Sequence, residues 1–89
     1  MSRQHREDHE YEIEALSKGL AVLEALEGIR WEPVTVATII ERTLLSRDTV
    51  DRTLKTLRLR GYAVCDKGKW TAGKRLIRVA HKLTLHKTL

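Results

Sequence analysis

The chain has 89 residues, enough for one domain, with 42% hydrophobic and 33% charged residues and a net charge of +5, a globular balance and neither a disordered nor a fibrous one. Its single cysteine, Cys65, excludes an internal disulfide and fits the reducing cytoplasm. No apolar run reaches the roughly 18 residues of a membrane span, and residues 1–12 lack the apolar core of a secretory signal.

The charge is unevenly placed. Residues 1–32 hold four basic and eight acidic side chains, net −4, whereas residues 33–89 hold thirteen and four, net +9. A basic body behind an acidic front points to a polyanionic partner. With no Phe and one Pro, the chain lacks the turn density of a small all-β domain, and a mainly helical fold is expected.

In chain order, residues 1–11 are almost all polar or charged and are expected to form a flexible tail, with the domain proper over 12–89. Ile13, Leu16, Leu20 and Leu23 recur at helical spacing. Ala15, Val22 and Leu26 widen that apolar face to about half the helix circumference. This exceeds the need of one small core, so part of it is expected to meet a second subunit. Gly28 is the expected stop, and Trp31, Glu32 and Pro33 read as a connector. Thr35 is the expected N-cap of a short helix over 36–42, with Val36, Ile39 and Ile40 on one side. Residues 43–45 form a tight turn, and Ser46 caps the next helix. There Val50, Leu54 and Leu57 lie on one side and Asp48, Asp51, Arg52 and Lys55 on the other. Leu59 falls among the charged residues, which marks the end of the helix or an additional contact. Gly61 terminates it. Residues 62–66 and 70–71 read as strands of a hairpin turning at Lys67-Gly68-Lys69, and such a hairpin needs helices to pack against. A last helical pattern runs from Lys74 toward His86.

Helix, helix, turn, helix, hairpin, helix is the order of a winged helix-turn-helix. In that architecture the second helix of the pair enters the major groove, the first crosses the backbone, and the hairpin lays cations along phosphates. The segment from Leu16 to Leu83 also resembles the N-terminal DNA-binding domain of the IclR-type (isocitrate-lyase-regulator) transcription factors. ALSKGLAVLEAL resembles the family's opening helix, EPVTVATIIERTLLSRDTVDRTLKTLRLRGYAV its helix-turn-helix, and KGKWTAGKRLIRVA its wing and the start of its linker helix. The resemblance implies sequence-specific binding of double-stranded DNA by a transcriptional regulator, with the opening and linker helices forming a homodimer contact. Three departures are visible. Asp51 on the recognition face adds negative charge toward DNA. Leu44 stands where the family usually has Gly, so a different turn geometry is expected. The sequence ends at Leu89, where the family continues into an effector-binding domain, so no small-molecule effector is expected within this chain.

On this reading the helix 46–60 reads the major groove and the wing 63–71 the backbone. The expected DNA-binding residues are Thr35, Arg47, Asp48, Thr49, Asp51, Arg52, Lys55, Lys67 and Lys69. Arg47 and Arg52 suit guanine, whose O6 and N7 match a guanidinium. Thr49 suits a phosphate or a thymine methyl. Asp51 can accept from cytosine N4 but repels phosphate. Asp48 has two readings, one toward DNA and one toward its own helix N-terminus. A solvated helix face would carry the same charges, and only the turn, the hairpin and their order favour DNA. The expected dimer residues are Leu16, Leu20, Val22, Leu23 and Leu26. Trp70 reads as core, since duplex DNA offers no exposed base face for stacking, and Cys65 as a small core residue. His5 and His9, four residues apart, and His81 and His86 lack partners at metal-ligand spacing. No catalytic constellation and no cofactor motif is present. The alternatives to a regulator are a winged-helix protein-interaction module and an accessory DNA-binding factor of a phage or mobile element.

Overall fold

A computed structural model describes residues 11–26 and 32–87, with side chains through His81. Four helices and a small sheet make up the described residues: α1 (Glu14–Glu24), β1 (Val34–Thr35), α2 (Val36–Thr43), α3 (Arg47–Leu59), β2 (Ala63–Asp66), β3 (Lys69–Ala72) and α4 (Lys74–Lys87). The three strands form an antiparallel sheet in the order β1-β3-β2. The mainly α fold with a small β wing expected from the sequence is the fold found. Residues 1–10, most of the expected tail with His5 and His9, lie outside the described residues, as do Gly28, Trp31 and the side chains of Leu83 and His86.

The core lies where α1, α2 and α3 meet the inner face of the sheet. Val22, Ile39, Val50 and Leu54 are fully buried, and Ala25, Leu26, Val34, Ala63 and Trp70 close around them. Each helix contributes through its helical periodicity, and the strands through alternation: in β1 Val34 points inward and Thr35 outward, and in β3 Trp70 points inward between Lys69 and Thr71. Cys65 is half-buried against this core.

Both caps read from the sequence are made. The Thr38 amide donates to Thr35 Oγ1 at 3.2 Å, and the Thr49 amide donates to Ser46 Oγ at 3.1 Å. Each hydroxyl satisfies an amide that the first helical turn leaves without a partner. Leu59 is the last residue of α3 and is 86% exposed, so the first of its two readings holds: the helix ends there.

Three features depart from the sequence expectation. Helix α1 ends at Glu24, with Ala25 and Leu26 in a turn, ahead of Gly28. Arg42 reaches that end, its Nη1 donating to Ala25 O at 2.7 Å, where a helix has unpaired carbonyls. Directly after Pro33 the chain forms a strand that the sequence does not announce, β1, whose Val34 and Thr35 pair with Trp70 and Lys69. The hairpin turn is two residues long, Lys67 and Gly68 with φ of 52° and 79°, the type I′ geometry that matches strand twist. Lys69, placed in the turn by the sequence reading, therefore belongs to β3.

Candidate nucleic-acid interface

Helix α3 buries Val50 and Leu54 and half-buries Leu57. At about 100° per residue, Asp48, Arg52, Lys55 and Leu59 then form the stripe directly away from the core. All four are exposed. Arg52 Nη1 lies 3.5 Å from Asp48 Oδ2, an ion pair across one helical turn. Arg47 and Asp51 stand on the flank of this stripe nearer the wing, Arg47 exposed and Asp51 half-buried. Thr49 is half-buried and occupied: its hydroxyl accepts from Ser46 Oγ at 2.9 Å while its amide completes the cap. Its first role is to hold the helix N-terminus.

The turn into α3 is fixed by Thr43 and Leu44. Thr43 Oγ1 donates to Ile39 O at 2.8 Å and accepts from the Leu45 amide at 3.3 Å. Leu44 ends α2 in the left-handed region, with φ 60° and ψ 22°. A glycine there would adopt this conformation freely. Leucine is accommodated in it with its side chain 88% exposed.

The wing and the helix-turn-helix are brought together by β1. Pairing of Thr35 with Lys69, and of Lys69 with Asp66, puts the cap of α2 beside the lysine of β3 on the outer face of the sheet. Thr38 joins them, its hydroxyl 3.1 Å from that of Thr35. Lys67 is exposed at the turn. Two side chains escaped the sequence reading. Thr38 is one, and Arg58 is the other: its guanidinium lies 5.9 Å from the centre of the Trp70 ring, a cation–π contact that ties α3 to the sheet. Its spacing after Arg47 and Asp51 places it on their side of the helix, and that periodicity was its one available signal.

The residues expected at a dimer contact divide. Val22 has no exposed surface and Leu26 is buried, so both belong to the protomer's own core; Leu23 packs against that core. Leu16 and Leu20 remain 58% and 47% exposed. With Leu23, Leu57 and Tyr62 they line a groove of about 950 Å³ between α1 and α3. Ile77 and Val79 of α4 are exposed as well. Among the described residues no group of three His, Cys, Asp or Glu side chains comes together, and no helix is long and apolar enough to cross a membrane.

No protein-family model matches the chain. It is 41% identical over 66 residues to the p-hydroxybenzoate hydroxylase transcriptional activator of Acinetobacter baylyi, an alignment covering 74% of this chain and 24% of that protein. Its fold superposes on an IclR family transcriptional regulator from Brucella abortus with a TM-score of 0.74 at 25% identity, over 83% of this chain and 28% of the other. An IclR transcriptional regulator from Alicyclobacillus acidocaldarius gives a TM-score of 0.73 at 23% identity, over 82% of this chain and 30% of the other. The chain thus spans about a quarter of the length of the curated relative it matches. The resemblance read from the sequence holds in three dimensions: the chain has the winged helix-turn-helix fold of the IclR-type transcriptional regulators.

Proposed function

We propose that this chain binds double-stranded DNA sequence-specifically as part of a transcriptional regulator, in the cytoplasm and as a homodimer. The observation that carries the reading is the exposed stripe of α3, with Asp48, Arg52 and Lys55 outward and Arg47 beside them, flanked by Lys67 and Lys69 of the wing. A helix presented this way fits a major groove about 12 Å wide, with its N-terminal residues toward the base edges. Thr35, Thr38 and Lys69 suit a backbone phosphate. The relatives are transcriptional regulators and not enzymes, which supports a binding role over catalysis. It also favours this reading over a protein-interaction module.

The dimer reading rests on the exposed remainder of the apolar face, Leu16 and Leu20, together with Ile77 and Val79. Two copies would carry two reading helices to half-sites about one DNA turn apart.

Duplex binding by fluorescence anisotropy tests the proposal. Arg52→Glu and Lys55→Glu, both at exposed positions, are expected to keep the fold and each weaken binding at least about tenfold, through one lost and one repulsive phosphate or base contact. Neutralising about eight phosphates gives a slope of log affinity against log salt near −7. Undiminished binding by both variants, or binding indifferent to salt, would remove α3 as the reading head.

A further inference from the structure

Among the described residues, an ion pair joins two side chains of the outward stripe of α3, Asp48 and Arg52. Asp48 sits in the first turn, and its carboxylate draws the Arg52 guanidinium back toward the helix N-terminus, Nη1 to Oδ2 at 3.5 Å. Both side chains are more than three-quarters exposed, 77% for Asp48 and 79% for Arg52, so the pair lies on the surface that would face DNA. Among the described residues Asp48 is the partner of Arg52, which leaves the Nη2 and Nε donors of the fork open. An isolated arginine on a helix surface samples many rotamers, and ordering it on binding costs conformational entropy. An arginine already tethered one turn back has less to lose.

We propose that Asp48 is a positioning residue for Arg52: it fixes the guanidinium over the first turn of α3, so that the fork reads a guanine in the major groove. This deepens the DNA-reading role proposed above and rests on it. The two open donors match guanine O6 and N7, the base edge that arginine contacts most specifically. The same carboxylate repels phosphates, which lowers affinity for DNA of any sequence while sharpening the choice at one base. A first-turn carboxylate that served only the helix dipole would act on stability and leave base preference unchanged.

The test is selection of binding sites from random duplexes by the full chain, with wild type, Asp48→Asn, Arg52→Ala and the double variant. Wild type is expected to select a guanine at one position of each half-site. Asp48→Asn lowers that preference over adenine about tenfold and tightens binding to duplex of random sequence. In the Arg52→Ala background, Asp48→Asn lowers the preference no further. Retention of the guanine preference by Asp48→Asn overturns the proposal. So does an equal loss with and without Arg52, which would mean that Asp48 touches DNA itself. If wild type binds duplex without selecting sequence, the positioning role falls and DNA binding stands; if it binds no duplex, both fall. Thermal melting of Asp48→Asn checks folding, and Asp48→Ser, which also suits a first helical turn, repeats the comparison should it melt early.

Discussion

At Leu44 the backbone turns from α2 to α3 with φ 60°, a conformation that costs an ordinary L-residue about 1–2 kcal/mol, because Cβ crowds the following carbonyl. The side chain recovers little by packing, being 88% exposed. Leu44→Gly is therefore expected to stabilise the fold by about 0.5–1 kcal/mol, the relieved strain less the extra chain entropy of glycine. Urea denaturation would register this as a rise in midpoint at constant slope. The residue-scale features legible in the sequence were those with local causes. Ser46 and Thr35 cap because a short hydroxyl before a helical run meets a free amide three residues on. The pairing of Arg52 with Asp48 follows from i, i+4 spacing, yet the same spacing left the direction of Asp48 open. The contact of Arg58 with Trp70 joins two elements and has no local cause.

The elements themselves followed periodicity closely, and their joints did not. Helices α2 and α3 and the wing lie almost where apolar spacing, caps and glycines place them. Strand β1 was missed because two residues carry no readable alternation, and their extended form is stabilised by pairing with β3, distant in sequence. A second joint lies where α3 gives way to α4. There Gly73 is buried against Gly61, its amide donating to Tyr62 O at 2.9 Å, while the Arg75 amide donates to Gly61 O at 3.2 Å. A Cβ at Gly73 would run into the carbonyl of Gly61, backbone that has no side-chain freedom with which to yield. Gly73→Ala is expected to destabilise by about 1–3 kcal/mol, measured by chemical denaturation, and to change the direction in which α4 leaves the domain. In the sequence Gly73 stands merely between the hairpin and the last helical pattern, and nothing local marks it as indispensable.

For the molecule as a whole, the division of +5 into −4 and +9 corresponds to a division of labour. The basic part contains α3, the wing and α4; the acidic part contains α1. Helix α1 is wider in its apolar face than one core requires. Inside the protomer it commits Val22 completely, while Leu16 and Leu20 stay exposed. Were a second copy to cover them, wild type would sediment as a dimer, and Leu16→Glu with Leu20→Glu would sediment as a folded monomer, since neither side chain belongs to the buried core. A monomeric wild type would argue against that interface. By itself the sequence determined the helices, their caps, the wing and the charged stripe of α3, because these depend on neighbours within about seven residues. Only the tertiary structure decided which apolar residues are core and which are surface, that β1 brings Thr35 beside Lys69, and that Gly73 must be glycine. Those outcomes depend on contacts between segments far apart in the chain, and periodicity records which side a residue faces but not what it meets there.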